Sequence, residues 1–360
     1  MPDAAPAKPN SVKTNSGHFF EDFRIGKELV HATPRTVTSG DVALYTALYG
    51  GRFAVQSSDA FAKAIGLVQA PIDDLLVFHI VFGKTVPDVS LNAVANLGYA
   101  ECRFVKPVFV GDTLSARSEV IGLKENSNGE TGVVHVRTTG RNQHGEIVLG
   151  FVRWVMVRKR DRNAAAPQAV TPKLAGFVAP DMLGACLPKI DAAAYDVTVS
   201  GSPHRFDDYT IGEQIDHVDG VTVEEAEHQL ATRLYQNTAK VHFDGFAAKE
   251  TRFGRRLIYG GVVISIARAL SFNGLGNAFK IAAINAGSHV APLFAGDTVY
   301  AMSEVIQQSN VGSRKDIGAM RIRTIATKNM PAAKLIGASG DTAAVEGVIL
   351  DLDYWVLLPR

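Results

Sequence analysis

Two hydrophobic patterns alternate along the chain. Residues 73–86, DDLLVFHIVFGKTV, and 256–272, RLIYGGVVISIARALSF, are apolar on nearly every side, as expected of helices enclosed by other structure. After each come segments in which apolar and polar residues alternate, the period of a half-buried strand. GVVHVRTT (132–139) and EIVLGFVRWVMV (146–157), separated by Asn142-Gln143-His144-Gly145, predict an antiparallel pair with a glycine-containing turn. Counterparts of this pair start near Met320 and Val348. Each half of the chain therefore predicts the same order: a short opening strand, a helical stretch, an apolar helix, then several strands.

The halves also share text. FEDFRIGKELVHATPRTVT from Phe20 aligns with FDDYTIGEQIDHVDGVTVE from Phe206, an offset of 186. Gly111-Asp112-Thr113 and Ser118-Glu119-Val120-Ile121 recur as Gly296-Asp297-Thr298 and Ser303-Glu304-Val305-Ile306, an offset of 185. VRWVMV around Trp154 resembles DYWVLL around Trp355, after an insertion at 328–347 rich in Ala, Gly and Lys. Three blocks in one order imply a tandem duplication. The expected organisation is a flexible tail (1–17), an N-terminal domain (18–160), an Ala/Pro/Gly-rich linker (161–203) and a C-terminal domain (204–360). One buried helix wrapped by antiparallel strands is the hotdog arrangement, so the fold class is α+β, a tandem (double) hotdog. The two sheets are expected to join into one surface, which covers edges otherwise open to other chains.

Composition removes several classes of function. With 37 basic and 36 acidic residues the formal charge is +1, which gives no footprint for nucleic acid or an anionic membrane. An anionic ligand must therefore be met by local groups. Cys102 and Cys186 are far apart and lack metal-ligand or CxxC spacing, so neither a disulfide framework nor a zinc site is expected, and a reducing cytoplasm fits. The opening segment lacks the apolar stretch of a leader, and the longest apolar runs, Leu75 to Phe82 and Val262 to Ile266, are too short to span a bilayer. No metal or redox cofactor is expected, because the chain has neither clustered ligands nor a glycine-rich nucleotide fingerprint. A homodimer is the default symmetric assembly.

The chemistry is concentrated in 234–261, LYQNTAKVHFDGFAAKETRFGRRLIYGG. This segment resembles the signature of the MaoC-like (R)-specific enoyl-CoA hydratases, S-G-D-x-N-P-x-H-x-D followed by F-G-x-P-I-x-H-G at the start of the central helix. The resemblance places His242 on the catalytic histidine, Asp244 on the following acid, Phe253-Gly254 on the F-G pair and Gly260 on the helix-opening glycine. It also has departures: Asn237 stands at the catalytic aspartate, Ala239-Lys240 at the N-P pair and Tyr259 at the histidine before the glycine. In the first copy Gly51 and Gln56 occupy the aspartate and histidine positions. Neither exchanges protons near neutrality, so one site per chain is expected, with the N-terminal copy non-catalytic.

Further stretches, RTVTSGDVALYTALYG, VFGKTVPDVSLNAVANLGYAECRF, LKENSNGETGVV and YQNTAKVHFD, spread the resemblance over both copies. Together they resemble the mesaconyl-CoA hydratase, or β-methylmalyl-CoA dehydratase, branch of that family. What the resemblance implies is reversible hydration of a short branched dicarboxylic enoyl-CoA, (2R,3S)-β-methylmalyl-CoA to mesaconyl-CoA plus water. Coenzyme A enters only as part of the substrate.

Such a reaction needs a proton acceptor for water, a proton donor for the α carbon and stabilisation of the enolate oxygen. His242 suits the first, because imidazole titrates near neutrality. Asn237 cannot be a base but can orient water, with a turn residue bonding its own backbone as the alternative reading. The N–H of Gly260, at the positive end of a helix, can address the thioester oxygen; close packing is the alternative use of Gly260 and Gly261. Tyr259 adjoins that position as a substrate-binding residue. The substrate's free carboxylate calls for an arginine, and Arg52 is the first choice, with Arg252, Arg255 and Arg256 as others or as partners of the CoA phosphates. His79, His135 and His289 read as structural, Trp154 and Trp355 as core, and both Gly-Asp-Thr sets as β-turns. A hotdog thioesterase, which would release free thiol, and a non-catalytic acyl-CoA binding protein remain the alternatives.

Overall fold

A computed structural model describes residues 13–338 and 342–360. The first copy contains β1 (Glu28–Thr36), the short helices α1 (Ser39–Tyr49), α2 (Ala54–Ser57) and α3 (Asp59–Ala64), and the apolar helix α4 (Asp74–Thr85). The strands β2 (Ala93–Phe104), β3 (Thr113–Glu125), β4 (Thr131–Arg141) and β5 (Ile147–Arg158) complete it. After a connection that includes α5 (Val197–Ser200), the second copy repeats the order. It comprises β6 (Gln214–Thr222), α6 (Glu225–Leu234), α7 (Lys240–Phe243), α8 (Gly245–Ala248), the apolar helix α9 (Gly260–Leu270) and α10 (Phe272–Leu275). Its strands are β7 (Lys280–His289), β8 (Thr298–Val311), β9 (Arg314–Lys328) and β10 (Val348–Pro359). The expected hairpin is the β4–β5 pair, in register from Thr131↔Arg158 to Gly140↔Leu149, with a shift before Arg141↔Ile147.

All ten strands form one antiparallel sheet in the order β1-β3-β4-β5-β2-β7-β10-β9-β8-β6. The halves join where β2 meets β7, at Cys102↔Ile284 and Arg103↔Ala283, so the expected continuous surface is present. Helix α4 packs on β1 and β3, and α9 on β6, β8, β9 and β10. A single apolar cluster runs through both helices and both halves of the sheet. Equivalent positions of the two copies meet each other, as across a two-fold axis. His79 Nε2 lies 3.0 Å from Ser265 Oγ, and the Tyr235 hydroxyl donates to that of Tyr49 at 2.7 Å. Each pair is separated by 186 positions, the repeat offset itself.

The repeat extends to the turns. Gly111 and Gly296 adopt φ of +99° and +93°, a region that favours glycine. Asp112 and Asp297 each accept a hydrogen bond from the backbone three residues earlier. Trp355 is fully buried and donates to the Val178 carbonyl at 2.9 Å. Trp154, expected in the core, is half-buried instead and stacks on His135 with ring centroids 5.8 Å apart. The linker is packed: Val178, Leu183, Cys186, Ile190 and Tyr195 join Phe61 and Ile65 of the first copy to Phe279, Ala283 and Trp355 of the second. Of the expected tail, residues 1–12 lie outside the described residues. Its end is held, because Asn92 Nδ2 donates to the carbonyls of Ser16 and His18. Among the described residues no helix is long and apolar enough to cross a membrane.

Candidate active site

The site is built on the turn between α6 and α7. Helix α6 ends against the first copy, where Tyr235 is held by Tyr49. Gln236 then takes φ of +54° and reverses the chain. The reversed turn passes close beneath α4: a Cβ on Gly83 would lie 1.9 Å from the Tyr235 carbonyl oxygen and 3.5 Å from Asn237 N. Only glycine fits there, so a helix of the N-terminal copy sets the path of the C-terminal loop. Asn237 is buried, its N–H donates to the Thr232 carbonyl and its Oδ1 accepts from Ala239 N at 3.1 Å. The turn role of Asn237 is thus present, and its amide nitrogen is the part that remains to address a ligand.

From that turn α7 projects His242. Its Nδ1–H donates to the Leu257 carbonyl at 2.9 Å, which fixes the tautomer and leaves Nε2 as the lone-pair acceptor. Burial pushes its pKa down to about 4, only partly offset by the bond to Leu257, so the ring is neutral at physiological pH. Arg256 braces the loop, pairing with Glu225 and Gln229 of α6 and donating to the Phe243 carbonyl. Asp244 caps α8 by accepting from Phe246 N and Ala247 N.

Two further histidines stand at this place. His228 Nε2 accepts from Tyr259 N at 3.0 Å and holds the residue that precedes α9. Its ring centroid is 6.2 Å from that of His242, and burial, then the neighbouring His242, push its pKa down to about 3. His289, at the end of β7, lies against Gly260: a Cβ on Gly260 would come within 2.4 Å of its ring. Burial, then His242, push the His289 pKa down to about 4, and its Nε2 is buried without a partner. His289 is therefore placed in the site, where the expectation was a structural histidine. The repeat carried a signal for both: at offsets of 186 and 185 the first copy has Val42 for His228 and Phe104 for His289.

Gly260 and Gly261 open α9, whose first N–H groups have no partner within the helix and lie at its positive end. Their packing role holds too, since a Cβ on Gly261 would meet the rings of His79 and Tyr259 at 2.4 Å. Tyr259 is buried, with its ring 5.4 Å from His242 and 5.8 Å from Phe82, and its hydroxyl has no partner. Close by, fully buried Arg153 of β5 lies opposite Tyr99 in the sheet, its guanidinium 4.2 Å over the ring of Phe82. Its Nη2 donates to Thr85 Oγ1 at 2.7 Å and Ser90 Oγ at 3.3 Å, whereas Nε and Nη1 are unpartnered. Burial lowers its pKa to about 10, opposed by the phenols of Tyr99 and Tyr259, and it stays charged. An unsatisfied buried donor costs about 1–3 kcal/mol, so four such atoms on Arg153, Tyr259 and His289 mark a place shaped for something outside the chain.

The structure thus brings His242, Tyr259 and Gly260 together, with Asn237 in the turn that leads into α7; Arg52 does not join them. Its exposed guanidinium stacks 4.7 Å over Phe272, just past the end of α9, and Gly260 is a helix length away, about 16 Å for eleven residues. Arg52 instead flanks the degenerate first-copy site, which is filled from within. Gln56 Nε2 donates to the Phe279 carbonyl at 2.7 Å. Asp74, the counterpart of Gly260, accepts from Lys280 Nζ at 2.8 Å and Ile281 N at 2.9 Å. Arg252 and Arg255 are exposed at the rim of the second-copy site, stacked on Phe253 and Phe294.

Comparison with known proteins agrees with this picture. The mesaconyl-CoA hydratase family model matches residues 9–339. The chain is 59% identical over 351 residues to a β-methylmalyl-CoA dehydratase of Chloroflexus aurantiacus, covering 97% of this chain and 99% of that one. It is 60% identical over 350 residues to a mesaconyl-CoA hydratase of Cereibacter sphaeroides, covering 97% and 100%. A solved structure described as a putative MaoC domain protein dehydratase from Chloroflexus aurantiacus superimposes with a TM-score of 0.91 at 57% identity, over 97% of this chain and 99% of that one. A double hotdog protein from Mycobacterium tuberculosis shares the fold, with a TM-score of 0.75 at 23% identity over 96% and 99%.

Proposed function

Because the chain belongs to the mesaconyl-CoA hydratase family, we propose that it interconverts mesaconyl-CoA and β-methylmalyl-CoA by adding and removing water at its C-terminal site. The observation that carries this reading is the neutral His242, whose Nδ1 is tied to Leu257 and whose ring lies 5.4 Å from that of Tyr259, the residue that precedes α9. In the hydration direction Nε2 takes a proton from water as the hydroxide oxygen bonds to the β carbon. The alkene electrons move toward the thioester, and the resulting enolate oxygen is met by the Gly260 N–H and the positive end of α9. Burial that holds the His242 pKa near 4 makes the transient imidazolium a strong acid, which returns its proton to the α carbon. Dehydration is the reverse. Asn237, with its oxygen engaged by Ala239 N, offers its amide N–H to hold the attacking water. Arg252 and Arg255 at the rim are the cations we assign to the phosphates of coenzyme A.

The test is a time course of enoyl-thioester absorbance with mesaconyl-CoA, run beside a thiol assay. Loss of absorbance without thiol release is expected. Stoichiometric thiol would show a thioesterase, and binding with neither change would show a non-catalytic acyl-CoA binding protein.

A further inference from the structure

Building on that reading, we propose that Arg153, a residue of the N-terminal copy, receives the free carboxylate of the substrate, with the Tyr259 hydroxyl as a second donor. On β5, Phe151 lies two residues before Arg153 on the same face of the strand, and its ring packs on Phe78 and Phe82 of α4 at 5.2 and 6.4 Å. Arg153 therefore projects toward the interior, where an aliphatic residue would suit the core. It takes part in no ion pair among the described residues, and only one arm of its fork is used, on two hydroxyls.

The second buried arginine provides the contrast. Arg268 of α9 donates to the Ala278 carbonyl through one arm of its fork and to Ser271 Oγ through the other, stacks 3.6 Å over Phe53, and is not among the residues with a buried unpartnered nitrogen. The second-copy counterpart of Arg153 is Tyr354, one residue before the matching tryptophan, and its hydroxyl is paired with Thr324 at 3.0 Å. Of the two interior arginines, then, only Arg153 keeps donors for a ligand.

Its position suits the reaction. Phe82 bridges Arg153 to Tyr259, and Tyr259 bridges Phe82 to His242. The free carboxylate is bonded to the β carbon, the atom that must lie beside His242 Nε2, so its receptor has to be one aromatic layer away. A planar fork with two idle N–H groups matches a carboxylate's two oxygens.

The readout is the ratio of kcat/KM for mesaconyl-CoA to that for crotonyl-CoA, which lacks the carboxylate. Arg153→Met should lower the ratio about 100-fold or more, chiefly through KM for mesaconyl-CoA, and Arg153→Lys should recover part of it. Without altering the protein, the methyl ester of the free carboxylate should be used by the wild type at least about 10-fold less efficiently than the acid. An unchanged ratio in Arg153→Met, or ester and acid used equally well, overturns the proposal. If Arg153→Met shows no melting transition, the ester comparison decides. A wild type that hydrates crotonyl-CoA and mesaconyl-CoA equally well refutes the role of Arg153 but not the hydratase reading. A wild type that hydrates neither refutes the hydratase reading, and the role of Arg153 with it.

Discussion

The openings of the two central helices carry different residues in the two copies. At the start of α9 stand Gly260, His242, His289 and Tyr259; at the start of α4 the corresponding residues are Asp74, Gln56, Phe104 and Asp73. The first-copy set is mostly engaged within the chain: Asp74 holds Lys280 and Ile281 N, Gln56 donates to Phe279 although its Oε1 has no partner, and the Lys280 ammonium lies 5.8 Å from the centre of the Phe104 ring. The second-copy set leaves buried polar atoms on Tyr259 and His289 without partners. The same scaffold therefore has two outcomes. Where polar groups find each other, the pocket becomes core; where they are kept apart, they await a ligand.

The hardest test of this contrast is to give the second copy the first copy's residue. His242→Gln should lower hydration of mesaconyl-CoA by about 100-fold or more while the thermal melt stays close to wild type, and Asn237→Ala should cost less. Near-normal turnover in His242→Gln would remove His242 from the chemistry. The contrast also has a pH signature. His79, His228, His242 and His289 all have pKa values pushed by burial below the ordinary 6.5, to about 3 or 4. The unfolded chain binds their protons near 6.5 and the folded chain resists, so their contribution is complete above pH 6.5 and is lost as pH falls toward 4. The melting temperature should drop through that window, and His289→Phe should flatten the slope.

Breaking the seal of the first-copy site should affect stability alone. Asp74→Ala strands the Lys280 ammonium in the interior, which costs about 3–5 kcal/mol in denaturant unfolding, with kcat of the folded fraction unchanged. The smallest effect is expected from the reverse graft. Gln56→His restores an imidazole but leaves Asp74 and Phe104 in place, so active-site titration should still count one site per chain. A second titratable site would mean that the first copy is intact.

Much of this architecture could be read from the chain because it depends on periodicity. The apolar helices, the β4–β5 hairpin and the duplication follow from local pattern, and each has the expected place. His242, Asn237, Tyr259 and Gly260 were legible because they share one segment with a known signature. Arg153 was not, since it reaches the site from a strand distant in sequence and a buried arginine on an alternating strand looks like an outward-facing charge; His228 and His289, outside the signature, were marked only by their replacement with Val42 and Phe104 in the first copy. Arg52 misled for the related reason that its position in the loop matches the catalytic turn while its own copy faces the opposite end of α9.

The stitched linker has a consequence for behaviour in dilute solution. Phe61 of the first copy and Trp355 of the second are clamped together by linker residues such as Leu183 and Tyr195, and Gly83 of one copy sets the loop of the other. A site shared between two separate chains disappears when the chains dissociate, and its activity per molecule falls on dilution. Here the second half is always present at the effective concentration fixed by the tether, so specific activity should remain constant down to any concentration at which a single chain stays folded.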